Sequence, residues 1–176
     1  SGLDTYMSLT HEIHADPTHF LTEALNSVKS AASSDYAEKW MELKKLAAEG
    51  HRHYLDEAPY SDFKVFEIIN DALTKMKKLT LHLSNSTPVR YIQLLGLSEN
   101  LTYHCNRGTS GIDGCTSTAA GWAKASPDED VLLITGDMAF VYDSNALWNN
   151  RLPDNRKIIV INKQSGVISI IIEAAD

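Results

Sequence analysis

Three polar, glycine-containing segments each follow a short apolar run of the kind that forms a buried strand. These segments occupy residues 106–114, 136–139 and 162–166. In an open α/β sheet, ligands bind beyond the carboxyl ends of the strands, where helix N-termini present free N–H groups. We therefore expect the three segments to lie along one edge of a sheet and to form a binding site there.

The second and third segments carry groups that suit a magnesium diphosphate. Asp137 supplies a carboxylate and Asn162 an amide oxygen, and Mg²⁺ prefers oxygen ligands in octahedral geometry. Gly136 lets the backbone approach a ligand closely, and the N–H groups of Met138 and Ala139 can cradle phosphate. Gly-Asp alone more often forms a turn with a helix cap. Its pairing with an Asn-containing turn one βαβ unit later favours the binding site.

That pairing resembles the thiamine-diphosphate motif, in which Gly-Asp at one strand end is followed by Asn-Asn at a later one. Two longer stretches, CNRGTSGIDGCTSTAAGWA and LLITGDMAFVYDSNALWNN, resemble the 2-succinyl-5-enolpyruvyl-6-hydroxy-3-cyclohexene-1-carboxylate synthase family of menaquinone biosynthesis. The resemblance is strong over residues 84–161 and extends weakly to both ends. It implies a C-terminal fragment of such a synthase.

The resemblance also implies a domain order in which the diphosphate-binding domain comes last. Residues 1–60 are then expected to be the tail of a middle domain with linking helices. Residues 61–176 are expected to be the diphosphate-binding domain, incomplete at its end. The family's activating glutamate belongs to a domain outside this segment. We therefore expect no catalytic residue in the segment and no turnover by the segment alone.

Site residues carried over from the family fall into three groups. The substrate-binding group faces the acid substrates and consists of Ser86, Arg90 and Arg107. The cofactor-binding group consists of Ser110, Gly111, Ile112, Gly136, Met138 and Ala139. The metal ligands are Asp137 and Asn162. Ile112 would prop thiamine into its bent conformation, and the planar fork of Arg107 suits carboxylates. Without the resemblance, Arg90 is a solvated helix residue.

The third segment departs from the family pattern. The family has a second Asn, then glycines and Ile-Phe, whereas this chain has Lys163, Gln164, Ser165 and Ser169. A lysine ammonium cannot ligate Mg²⁺, although it can contact diphosphate or pair with Asp137. Lys163 and Ser165 thus occupy expected ligand positions without the expected chemistry. We expect the isolated segment to bind no ordered metal–cofactor complex.

The implied parent reaction is decarboxylation of 2-oxoglutarate on thiamine diphosphate with Mg²⁺, followed by addition of the product to isochorismate. The family's sites lie between subunits, so self-association as a dimer or tetramer is expected. Two alternatives remain. One is a different thiamine-diphosphate carboligase or decarboxylase. The other is a non-catalytic module that has lost its metal site.

Composition limits the classes of partner and the compartment that are expected for the chain. A net charge of −7 over 176 residues argues against nucleic-acid binding, which needs a basic face. No apolar run is long enough to span a bilayer. Cys105 and Cys115 are the only cysteines, which favours a reducing cytoplasm over a disulfide framework. Neither thiol has an evident base that would make it a nucleophile.

Apolar periodicity predicts helices followed by an α/β region. Helices are expected to start near Asp16, Ser34 and Ser61, and strands to occupy residues 79–83, 101–105, 131–135 and 157–161. Further helices are expected at residues 87–95, 113–124 and 144–151. This alternation predicts a parallel sheet with helices on both faces. The three tryptophans are expected in the core. The histidines have no ligand pattern for zinc.

Overall fold

The protein was analysed as a computed structural model, which describes residues 4, 6–28, 33–148 and 152–162. The chain divides into two compact units, Ser1–His53 and Tyr54–Asp176. Among the described residues, none of the helices combines the length and the apolar character needed to cross a bilayer.

The first unit contains helix α1 (Pro17–Ser27) and most of helix α2 (Tyr36–Glu57). The Asp16 carboxylate caps α1 by accepting hydrogen bonds from the backbone N–H groups of Thr18 and His19. Pro17 fills the first helical position, where its missing N–H has no partner to lose. Both helices start where the sequence predicts, and neither contains a buried residue.

The second unit alternates helices and strands in the predicted order. Its elements are α3 (Asp62–Leu73), β1 (Leu79–Leu83), α4 (Thr87–Leu95), β2 (Thr102–Cys105), α5 (Cys115–Ala125), β3 (Asp130–Gly136), α6 (Asp137–Tyr142), a 3₁₀ helix (Ser144–Leu147) and β4 (Arg156–Ile161). The four strands form one sheet in the order β2-β1-β3-β4, and every pair is parallel. The predicted parallel α/β sheet is confirmed.

Helices α3 and α4 cover one face of this sheet. The core there joins Phe66 of α3 and Ile92 of α4 to Leu81 of β1 and Ile134 of β3, all fully buried. Phe66 also packs edge-on against Tyr91, with ring centroids 5.4 Å apart. These residues belong to the apolar core of the unit.

Helix α5 covers the opposite face. Its small side chains Ala119 and Ala123 are buried, which allows close approach to the sheet. Three rings also meet here, because His82 of β1 and His104 of β2 stack on each other and both contact Trp122 of α5. Helices therefore lie on both faces, as predicted.

Two sequence-based expectations differ from the structure. The helix predicted over residues 144–151 is a 3₁₀ helix of four residues, Ser144–Leu147, and residues 149–151 lie outside the described part. An unpredicted helix, α6, precedes it. The tryptophans are not core residues: Trp40 is 54% exposed, Trp148 81% and Trp122 36%. Trp122 nevertheless contacts the rings of His82 and His104.

We predict that Phe66→Ala destabilises the second unit by about 3–5 kcal/mol, because it removes a fully buried ring and leaves a cavity. Urea unfolding of the chain measures this free energy. Ile68→Ala on the same helix is the matched control, since Ile68 is 60% exposed and should change stability by less than about 1 kcal/mol. Equal losses in the two variants would contradict this placement of the core.

A second prediction concerns how the stability of the fold depends on pH. Burial, and then the neighbouring His104, lower the pKa of His82 to about 4. The unfolded chain therefore takes up a proton near pH 6.5 while the folded chain does not, so stability falls as pH drops from about 6.5 to 4. The expected loss is about 3 kcal/mol, measured by urea unfolding across that range.

The control for this prediction is His82→Phe, which keeps a ring in the cluster but cannot be protonated. Its stability should vary much less between pH 6.5 and pH 4. If the free energy of unfolding changed with pH equally in wild type and variant, His82 would not be the group responsible for the loss of stability.

Candidate functional site

The parallel register brings four strand ends to one edge of the sheet. Leu83 at the end of β1 pairs with Cys105 at the end of β2, and Gly136 at the end of β3 pairs with Ile161 at the end of β4. The segments that follow the four strands therefore leave the sheet on the same side.

The segment after β1 connects to the end of β3. Ser84 and Asn85 are both buried. The N–H of Ser84 donates to the carbonyl of Ile134 at 3.0 Å, and its hydroxyl accepts from the N–H of Gly136 at 3.3 Å. Ser86 then adopts a left-handed conformation with φ of 73°, and α4 begins at the next residue. The chain thus turns sharply at the position expected to bind substrate.

Asn85 holds the segment after β2. Its side-chain amide donates to the carbonyl oxygens of Asn106 at 2.7 Å and Gly111 at 2.6 Å. Its carbonyl oxygen accepts from Nη1 of Arg107 at 2.9 Å and from the thiol of Cys105 at 3.4 Å. Sequence reasoning missed Asn85, because its partners lie 20 or more positions further along the chain.

Loop 106–114 is folded tightly on itself. Ser110 has a φ of 60°, and a Cβ built on Gly111 would lie 2.6 Å from Oδ1 of Asp113. Asn106 donates from its side chain to the carbonyl of Gly114 at 3.1 Å, which ties the loop to the start of α5. An open cavity of about 370 Å³ is lined by Asn106, Gly108, Thr109, Gly111, Asp113 and Gly114.

A buried carboxylate connects α6 to α5. Asp143, only 3% exposed, accepts hydrogen bonds from the N–H and the hydroxyl of Ser117 in the first turn of α5. A carboxylate at this position also interacts favourably with the positive end of the α5 dipole. Sequence reasoning missed Asp143 too, since an aspartate just after a short helix has no local signal for this partner.

The two expected metal ligands follow directly after paired residues. Asp137 comes after Gly136 and Asn162 comes after Ile161, so the two lie at the ends of neighbouring strands. Oδ1 of Asp137 accepts from the N–H of Met138 at 2.8 Å. Lys163 and Ser165 lie outside the described residues.

The other expected site residues lie at the same edge. Ile112 is half-buried in loop 106–114, Met138 is exposed and Ala139 is buried. Arg90 is exposed on α4, four residues after Ser86. Arg107, the third expected substrate-binding residue, donates a hydrogen bond to the side chain of Asn85.

The two cysteines are poor nucleophiles. Burial raises the pKa of the Cys105 thiol and that of the Cys115 thiol. A raised pKa keeps each sulfur protonated at neutral pH, whereas nucleophilic attack requires the thiolate. The raised pKa values therefore argue against either cysteine as a nucleophile at this edge.

Comparison with known proteins identifies one kind of enzyme. The chain is 46% identical over 165 residues to 2-succinyl-5-enolpyruvyl-6-hydroxy-3-cyclohexene-1-carboxylate synthase of Flavobacterium psychrophilum. It is 50% identical over 120 residues to the synthase of Christiangramia forsetii and 39% identical over 168 residues to that of Desulfotalea psychrophila. These matches cover 94%, 67% and 95% of this chain. The chain belongs to this synthase family. No protein-family model matches it.

The same matches cover 29%, 20% and 28% of the three relatives. The chain therefore spans less than a third of the length of the synthases that it matches.

Proposed function

We propose that the chain is the diphosphate-binding part of a synthase that decarboxylates 2-oxoglutarate with thiamine diphosphate and adds the product to isochorismate. This reaction belongs to menaquinone biosynthesis. The observation that carries the proposal is the match of 94% of the chain to a synthase named for the product. The parallel sheet, with polar segments at the carboxyl ends of its strands, supports it.

The described residues fit a magnesium diphosphate. Asp137 offers a carboxylate and Asn162 an amide oxygen, and phosphate oxygens commonly complete the shell of Mg²⁺. Within the described ranges, no group of three or more His, Cys, Asp or Glu forms an alternative metal site. The N–H of Met138 already donates to Asp137. Its use for phosphate therefore requires the Asp137 carboxylate to turn toward the metal.

Thiamine diphosphate, when bound, supplies the carbanion chemistry, and the protein supplies orientation and charge. In this proposal Arg107 binds the carboxylates of the acid substrates, with Ser86 and Arg90 assisting at isochorismate. Ile112 would support the cofactor from one side. The other residues that would line it are Ser110, Gly111, Gly136, Met138 and Ala139. Loop 106–114, which carries Arg107, is held beside the end of β1 by hydrogen bonds from Asn85.

The remaining assignments follow from the same family. We propose that residues 1–60 link a middle domain to the diphosphate-binding domain, which occupies residues 61–176. The proposed assembly is a dimer or tetramer with sites between subunits, working in the cytoplasm.

A cofactor titration tests this function. We use a synthase-length protein that contains this chain, hereafter the full-length protein, and titrate it with thiamine diphosphate and Mg²⁺ by calorimetry. Asp137→Asn should weaken the metal-dependent binding at least about tenfold, because the substitution removes the charge that faces Mg²⁺. Asp154→Asn is the control, since Asp154 is exposed in the turn before β4.

The outcomes separate the alternatives. Binding with turnover of 2-oxoglutarate and isochorismate supports the synthase. Binding with turnover of other 2-oxo acids only would indicate a different carboligase. Absence of binding would favour a non-catalytic module. Lys163, at an expected ligand position, would then explain why the metal site is lost. Equal affinities in Asp137→Asn and wild type would remove Asp137 from the metal site.

Substrate recognition gives a further prediction. In the full-length protein, Arg107→Ala should lower kcat/KM for the acid substrates by roughly thirtyfold, equivalent to the loss of about 2 kcal/mol of charge-assisted hydrogen bonding. The dissociation constant for thiamine diphosphate should change little. Arg107→Lys keeps the charge without the fork and should recover part of the loss. Unchanged kcat/KM for both substrates would exclude Arg107 from the site.

A further inference from the structure

Asn85 makes four side-chain hydrogen bonds at the carboxyl edge of the sheet. It is 2% exposed, and its amide makes the four contacts described above. An asparagine amide has two N–H donors and one oxygen with two lone pairs, so these contacts use all of its capacity. The orientation of the amide follows from its partners, because two carbonyls must face the NH₂ group and a guanidinium must face the oxygen.

The contacts of Asn85 close loop 106–114 at two points. The carbonyls of Asn106 and Gly111 are five residues apart in sequence, and both accept from the same nitrogen. Arg107 lies between them and donates to the oxygen of that same amide. One side chain in the segment after β1 therefore contacts both the backbone of the loop and the guanidinium that the loop carries.

Arg107 is exposed and has a long side chain with many rotamers. Holding such a side chain in one rotamer before the substrate arrives lowers the entropy lost on binding. The contact with Asn85 uses Nη1, which leaves other N–H groups of the guanidinium for a carboxylate.

We infer that Asn85 is a positioning residue for acid-substrate binding, acting through Arg107 and loop 106–114 rather than by touching the substrate. This inference rests on the proposed function. Asn85 is not part of the Gly-Asp and Asn-Asn motif, and it holds loop 106–114 from the segment after β1.

The first test measures the loop in the chain itself by ¹⁵N relaxation. Wild-type amides of residues 108–111 should have order parameters of roughly 0.85, and Asn85→Ala should lower them to below about 0.6. Asn155→Ala is the matched control. Asn155 also donates from its side chain to several carbonyls, those of Ala123, Ser126 and Glu129. It lies just before β4, at the amino-terminal ends of the strands. It should leave the loop rigid.

Asn85→Asp separates the two parts of the interaction and serves where Asn85→Ala does not fold. A carboxylate of the same size still accepts from Arg107, but it places an oxygen against the carbonyls of Asn106 and Gly111. The loop amides should become mobile while the guanidinium resonance of Arg107 stays ordered. Unchanged order parameters in the Asn85 variants would overturn the inference.

The second test is a double-mutant cycle on KM in the full-length protein. Asn85→Ala should raise KM for 2-oxoglutarate about tenfold with a smaller change in kcat. It should have almost no further effect on KM in an Arg107→Ala background, because the two residues act as one unit. Additive effects would show that Asn85 does not act through Arg107. A wild-type protein that uses neither acid would refute the proposed function, while the relaxation data would still decide how the loop is held.

Discussion

The parallel register of the four strands is the constraint on which the candidate site depends. Because all strands run the same way, every polar segment after a strand leaves at one edge, with neighbouring ends about 5 Å apart. Asp137 and Asn162, which are 25 positions apart in sequence, become neighbours only through the pairing of Gly136 with Ile161. A shift of the β4 register by one residue would separate them and would also exchange the two faces of β4.

Crowding so many loops at one edge leaves backbone groups that no strand or helix satisfies. Buried carbonyl and N–H groups without partners cost free energy, so side chains must supply the partners. Ser84 does this for Gly136, Asn85 for Asn106 and Gly111, and Asp143 for the start of α5. The same contacts connect the ends of β1, β2 and β3, so the loops are held as one unit.

Much of the architecture could be predicted from local sequence signals. Asp16 with Pro17 and the oxygen of Ser61 mark helix starts, and the buried apolar runs mark β1, β3 and β4. Asn85 and Asp143 could not be predicted in this way, since their partners are set by tertiary folding and by no spacing along the chain. The prediction that the tryptophans lie in the core was wrong for a related reason. Helical position places a side chain on a surface, but the neighbouring element decides whether that surface is covered. Trp122 contacts the two histidines and is still 36% exposed.

The charge of the chain explains why local positioning matters at this edge. With a net charge of −7, the chain disfavours anions in general, including the diphosphate and the dicarboxylic acids of the proposed function. At physiological ionic strength, screening limits such effects to roughly 8 Å, so the groups within that distance of the ligand decide its binding. Arg107 is a cation of loop 106–114 that is anchored by its hydrogen bond to Asn85. A neutral amide is well suited to hold it, because a carboxylate partner would cancel the positive charge that the proposed acid substrates need. Asn85 orients the guanidinium and leaves its charge intact, which an aspartate at the same position would not do.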